Sequence, residues 1–395
     1  MKKLLSIIFF SITAYNLDAQ WLQTSGPSSV NILCFQSVGS TLYAGTGNGL
    51  FSSSDNGTTW TSNSNGITNT NVQDLAVIGT TLFAGTLGGG VFTSTNNGSN
   101  WTANTSSSGF NVSVMAVTSG SMIFLGGTGV SQGNMNSFGS YIFTTAGSGI
   151  TSGVLSLAIK GTNIFAGTMT GGVFRSTFNG TSWTPVNSGI NSGDVNALAS
   201  DGVNLYAGVG TSGGIFVTSN NGNSWLPVNT GLPASPNITA IIVNGPNIFA
   251  GGANGGVYLS TNAGANWSNI STGLPTNKNI LSLGFDGTYL YAGTNGSNIW
   301  RRPLNEIISA IDEVNPNNTS LNLYPNPSNG KINICAKEAI KSIDICNLLG
   351  SKIFSFTNGN LENSTEIDLS NFGTGIYFLK VNISDNVVIK KIIIE

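Results

Sequence analysis

Histidine is absent from this chain, and charge is scarce: only 8% of the 395 residues are Asp, Glu, Lys or Arg, against about 25% in an ordinary soluble domain. Without His, neither a Ser–His–Asp nor a Cys–His nucleophile can be assembled. Cys34, Cys335 and Cys346 are too few for a disulfide framework and lack the spacing of a metal site. A formal net charge of −2 provides no electrostatic footprint for nucleic acid or an anionic membrane. Carboxylates are too sparse for a selective calcium site. The runs Gly88-Gly89-Gly90 and Gly171-Gly172 are followed by no Gly-Lys-Ser/Thr, so they are not phosphate loops. No metal, cofactor or nucleic-acid partner is expected, and no segment after the N-terminus is long and apolar enough to span a membrane.

Gly (53 residues), Ser, Thr and Asn take the place of charge, which suits short strands joined by tight turns. Leu42-Tyr43-Ala44-Gly45-Thr46 returns six more times, with its glycine at Gly85, Gly126, Gly167, Gly208, Gly251 and Gly293. The intervals are 40, 41, 41, 41, 43 and 42 residues, a propeller-blade period. The second unit shows the parts: strands at 72–78, 82–86 and 90–95, a turn at 96–98, and a strand beginning at Trp101. A glycine inside the second strand is expected where strands converge closely around an axis.

Two units break the pattern. In the third, Gly126 lies 17 residues before Phe143, against 7 from Gly85 to Phe92, and no turn motif or Trp follows. The expectation is an inserted loop, residues 130–140, in place of a lost hairpin, and that loop is the candidate ligand contact. The seventh unit ends after Asn298-Ile299-Trp300, while Trp21 falls 39 residues before Trp60. The segment at Trp21 is therefore expected to supply the last blade's missing strand and close a ring of seven.

The turn before each Trp is a second motif. Ser53, Asp55, Gly57 and Trp60 follow the pattern Ser-x-Asp-x-Gly-x-Thr-Trp, with copies ending at Trp101, Trp183, Trp225 and Trp267. The glycine persists at Gly98, Gly180, Gly222 and Gly264, whereas Asn96, Phe178, Asn220 and Asn262 replace the Asp. This resembles the Asp-box (BNR) repeat of sialidase-type propellers, and the resemblance implies an outer structural hairpin remote from any active site. A sialidase site would need three separated arginines, a Tyr–Glu pair and an acid/base Asp. Residues 21–304 hold Asp55, Asp74, Asp194, Asp201, Asp286, Lys160, Arg175, Lys278, Arg301 and Arg302, with no Glu. That inventory does not build the site. Asp201 and Asp286 precede turn glycines. Asp74 and Asp194 remain as a conceivable glycosidase pair, although Asp74 aligns with Cys34, Ser156, Ala197, Ala240 and Ser282, a small inner-strand position.

The ends of the chain read differently. Lys2, Lys3, an apolar stretch over 4–14 and a cut between Ala19 and Gln20 read as a signal peptide over residues 1–19. Residues 20–304 form the propeller and 305–320 a linker. Residues 321–395 hold seven Lys and several short strands, expected to form a small Ig-like sandwich. Tyr324-Pro325-Asn326-Pro327 with Gly330, then Gly350, then Gly375 with Tyr377, then Lys390-Lys391 resemble the type A C-terminal sorting domain of the type IX secretion system. That resemblance implies handling by the secretion machinery, passage across the outer membrane, and removal of the tail with surface attachment or release. Whether Cys335 and Cys346 pair is left open. The fold expected is all-β, a seven-bladed β-propeller followed by the sandwich. The function expected is a non-catalytic propeller binding a glycan or protein at the cell surface or outside the cell, with a surface scaffold second and a glycoside hydrolase last.

Overall fold

A strand covered on both faces carries an unbroken apolar run. The repeated element does so: from Leu42 to Thr46, and again from Leu82 to Thr86, every residue is buried. The computed structural model describes residues 20–395 apart from 138, 178, 191–192, 212, 254–255, 277–278, 297, 311–320, 337, 347–351, 358–362, 384–385 and 395. The signal-peptide reading of residues 1–19, Ala19 included, lies outside the described residues, as does Gly350.

Residues 20–304 form seven four-stranded antiparallel sheets. The innermost strand of each blade touches that of the next, and Ile280–Phe285 of the seventh touches Ile32–Val38 of the first. The ring closes as the Trp spacing implied. Leu22–Gln23 joins the outer edge of the last blade, pairing Leu22 with Arg301 and Gln23 with Trp300. Trp21 is 2% exposed and its Nε1 donates to the Ile270 carbonyl at 2.7 Å.

The inner glycines sit where three strands meet. A Cβ on Gly45 would lie 2.5 Å from Cys34 Sγ and 2.9 Å from Val72 of the next blade. On Gly126 it would meet Val114 and Val154, both at 2.6 Å. Any side chain there would push adjacent blades apart.

The propeller core consists of seven clusters, one at each blade junction. In each, the aromatic of the repeated element packs with one aromatic from the next blade. Tyr43 shares a cluster with Trp101, Phe124 with Trp183, Phe165 with Trp225, Tyr206 with Trp267, Phe249 with Trp21 and Tyr291 with Trp60. At the remaining junction Phe83 meets Tyr141, edge to face, with ring centroids 4.9 Å apart.

That junction corrects the reading of the third unit. Residues 130–140 are not an inserted loop: Val130–Met135 is the blade's third strand and Tyr141–Ala146 its fourth. The hairpin survives, with Ser140 N–H donating to Asn136 Oδ1 at 2.9 Å, as Thr59 N–H donates to Asp55 Oδ1 at 2.9 Å. Tyr141 follows Asn136 by the same interval as Trp60 follows Asp55. The candidate ligand loop thus dissolves into a strand and a turn. The fourth strand has six residues where most blades have two. Its outer edge is capped by the short 3-10 turn Thr105–Ser107: Ser106 Oγ accepts from Phe143 N–H at 2.9 Å, and Asn104 Nδ2 donates to the Tyr141 carbonyl at 2.7 Å. A long unpaired edge is an aggregation template, and this cap shortens it.

The segment read as a linker begins inside the propeller's packing. Leu304–Ala310 is a helix whose Leu304 and Ile307 are buried in the Phe249–Trp21 cluster. It fills the last junction, where no turn motif is available.

The tail is a two-sheet sandwich. Leu321–Tyr324, Lys331–Ala336 and Ser364–Asp368 form one sheet; Lys352–Thr357, Ile340–Cys346, Gly375–Ile383 and Asn386–Ile394 form the other. Ile332, Ile334, Ile343, Ile345 and Ile392 lie at its centre. Cys335 and Cys346 lie in different sheets, and both are free thiols.

Candidate functional site

The seven inner strands line an axial opening of about 550 Å3. Both carboxylates left over from the sequence, Asp74 and Asp194, line it, as do Cys34, Ser156, Ala197, Ala240 and Ser282. The glycosidase pair therefore shares one opening, and the question is whether either carboxylate is available.

Asp74 reaches across a blade junction. Its Oδ2 accepts from Met115 N–H of the third blade at 2.5 Å, and its Oδ1 from Leu75 N–H at 2.8 Å. Burial raises its pKa to about 7, against the pull of those two N–H groups. Burial also pushes up the neighbouring Cys34 thiol, and the Asp74 charge adds to that. Other junctions are bridged the same way: Ser156 Oγ donates to the Val195 carbonyl at 3.1 Å, Asn196 Nδ2 to that of Ile238 at 3.1 Å, and Ser282 Oγ to that of Ile32 at 2.9 Å. Thr239 Oγ1 likewise bonds the Ile280 carbonyl. Asp74 is one member of this set. Asp194 accepts from Thr211 N–H at 3.0 Å and from Thr211 Oγ1 at 3.3 Å, closing a turn of its own blade.

The remaining carboxylates hold turns. Asp201 accepts from Val203 N–H at 2.8 Å and Tyr206 Oη at 3.0 Å; Asp286 accepts from Thr288 N–H at 2.9 Å and Tyr291 Oη at 2.6 Å. Asp55 accepts from the Thr59 side chain and backbone and from Ser53, which lower its pKa to about 2.

In the repeated turn, Ser53 Oγ donates to Asp55 Oδ1 and accepts from Gly57 N–H at 2.9 Å. Ser94, Thr218 and Ser260 repeat the arrangement with Asn96, Asn220 and Asn262. Only an acceptor oxygen is needed, so Asn serves as well as Asp. The turn glycine has φ of 75° at Gly57 and Gly98 and 78° at Gly180, and a Cβ on Gly57 would lie 2.8 Å from Tyr291. In blades one, two, four, five and six the turn thus rests on the repeated aromatic of the blade before it, which joins the two sequence motifs into one packing unit. Phe178 lies outside the described residues.

The described cations of the propeller also serve junctions, a role that spacing alone did not show. Arg175 donates to the Asn221 carbonyl at 2.8 Å and Lys160 to that of Ser219 at 3.0 Å, both at the fifth blade's turn. Arg301 bonds the Asn56 carbonyl and Arg302 donates to that of Ile270 at 2.9 Å. Lys278 lies outside the described residues. Among those residues, no group of three or more Cys, Asp or Glu is placed to hold a metal ion.

In the tail the first and last sorting motifs meet. Asn326 Oδ1 accepts from Ile393 N–H at 2.8 Å, and Ser328 N–H donates to the Ile393 carbonyl at 2.9 Å. Gly330 has φ of 109° and lies against Ser370, leaving no room for a Cβ. Tyr377 Oη donates to the Gly373 carbonyl at 2.8 Å.

Residues 322–395 match the family described as the secretion system C-terminal sorting domain. The tail thus marks the chain for type IX export to the cell surface or extracellular space, and no helix among the described residues is long and apolar enough to cross a membrane. No curated protein matches the chain. Among solved structures it is similar to the extracellular domain of a protein described as a one-component system from B. thetaiotaomicron, at 16% identity and a TM-score of 0.60, covering 94% of this chain and 52% of that one. The chain spans about half the length of that neighbour. It is also similar to YCF48 from Cyanidioschyzon merolae, at 13% identity and a TM-score of 0.56, covering 73% of this chain and 99% of that one. YCF48 bound to D1 peptide gives 12% identity and a TM-score of 0.57, covering 73% and 96%. At these identities the likeness is one of fold.

Proposed function

We propose that the protein is an exported, non-catalytic binding propeller whose ligand is an extracellular glycan or protein. The observation that carries this reading is the commitment of Asp74 and Asp194 to backbone N–H groups. A retaining or inverting glycosidase needs two available carboxyl groups, one as general acid to the leaving group and the other as nucleophile or as the base that activates water. Asp74 instead joins two blades, and Asp194 closes a turn. The repeated turns fit the Asp-box hairpin as structural elements, since their polar side chains bond the turn and their glycines pack on the neighbouring blade. A rigid ring that presents loops is a binding scaffold, and the peptide-bound YCF48 shows a propeller of similar fold holding a polypeptide.

The test is to incubate the full-length chain with a panel of polysaccharides and extracellular matrix proteins, measuring retention and reducing-end release together. Retention without release is the expected result. Release of reducing ends that is lost in Asp74→Asn or Asp194→Asn would overturn the non-catalytic reading.

A further inference from the structure

The register singles out one position in blade three. The residue paired with the alanine of the repeated element is Phe51, Phe92, Phe174, Phe216, Tyr258 or Trp300 in six blades, and Ser131 in the third. Leu125 replaces the alanine opposite it and restores part of the lost bulk. What remains is a depression of about 380 Å3 between blades three and four, within the size range of small-molecule sites, roughly 300–1,000 Å3.

Two glycines bring its walls in. A Cβ on Gly127 would overlap the Asn111 carbonyl, and one on Gly147 would lie 2.7 Å from Trp183. Trp183 forms part of one wall: its Nε1 donates at 3.0 Å to Gly180 in its own turn, as Trp60 does to Gly57, whereas Trp101, Trp225 and Trp267 donate to the preceding blade. Phe110 and Ile150 are half-buried apolar walls, and Asn111, Thr128 and Thr145 present an amide and hydroxyls at an exposed rim. Among the described residues, no ionisable side chain lines the depression.

We propose that this depression binds a neutral sugar unit of an extracellular glycan. An anionic or cationic ligand would find no counter-charge. An uncharged sugar offers hydroxyls to Asn111, Thr128, Ser131 and Thr145, and C–H faces to Phe110 and Ile150. The proposal rests on the binding reading above and narrows its ligand.

The experiment uses the full-length chain, an array of neutral oligosaccharides from β-glucan, xylan, mannan and chitin, and titration calorimetry on any that bind. A set of extracellular matrix proteins is run in parallel. Ser131→Phe restores the repeat's aromatic and fills the space; Phe110→Ala removes a wall. The expected result is binding of a neutral oligosaccharide that Ser131→Phe weakens by at least about tenfold and Phe110→Ala also weakens, with thermal melting confirming that both variants remain folded. Sugar binding unchanged in both folded variants overturns the site. Protein binding without any neutral sugar binding overturns the ligand class and leaves the binding function standing. Absence of both defeats the binding reading as well.

Discussion

Blades three and seven both depart from the repeat, in opposite ways. Blade three keeps four consecutive strands but changes the residues, placing Tyr141 where its neighbours have Trp and Ser131 where they have a large aromatic. Blade seven keeps the residue type but changes the delivery: Trp21 arrives from the other end of the chain, and the helix Leu304–Ala310 covers the junction that lacks a turn motif. Both junctions are nonetheless filled by an aromatic pair. The ring demands occupancy of a volume between blades, and it accepts whichever segment supplies it.

The largest effect should come from breaking the delivery. Removing residues 21–28 takes away the last blade's outer strand along with a side chain that is 2% exposed. The cost should exceed the roughly 3–5 kcal/mol of truncating one buried aromatic to Ala. Calorimetry should show the propeller transition lost or far lower; an unchanged melting temperature would refute closure by this segment.

Next comes the substitution in blade three. Tyr141→Ala should cost about 3–5 kcal/mol by chemical denaturation, while Tyr141→Phe, which loses only the bond from Oη to the Ser121 carbonyl, should cost about 1 kcal/mol. Near-neutral behaviour of Tyr141→Ala would mean that blade three is not held as its neighbours are.

The third prediction concerns pH. Asp74 has a folded pKa of about 7, above its ordinary 3.8, so the fold binds the proton more tightly than the unfolded chain. Its stabilising contribution is present below about pH 4 and lost as pH rises through about 7. The loss is on the order of a few kcal/mol, from 1.36 kcal/mol per unit. Melting temperatures between pH 5 and 8 should fall for the parent and fall less for Asp74→Asn, whatever the variant's baseline. Equal slopes would place the titration elsewhere. Asp55, with its pKa lowered to about 2, acts oppositely, losing its contribution only as pH falls below about 4.

The smallest effect is expected at the repeated turn. Asp55→Asn should leave the melting temperature at neutral pH nearly unchanged, because Asn96, Asn220 and Asn262 already make the same bonds. A clear loss there would show that blade one needs the charge.

Much of the ring was legible because its signals are local. The glycine interval and the Trp21 spacing give the blade number and the closure without any contact being known. The third unit was misread because Ser131 removed the aromatic that marks a third strand, and Phe143 of the fourth strand was matched to Phe92 in its place. The interval from Asn136 to Tyr141, equal to that from Asp55 to Trp60, was the available signal. The helix after Leu304 was missed because its buried residues, Leu304 and Ile307, give too short an apolar pattern.

The sequence by itself determined the strand content, the seven-fold ring and its closure, since each is written in spacing along one chain, while the sorting tail was legible through the resemblance of its motifs to a known family. Only the tertiary structure decided which polar groups are committed. Asp74, Lys160, Arg175 and Arg301 each bond a backbone group of an adjacent blade, and no interval within one unit reveals that partner. The depression beside Ser131 was decided the same way: it exists because two blades meet where one of them carries less bulk.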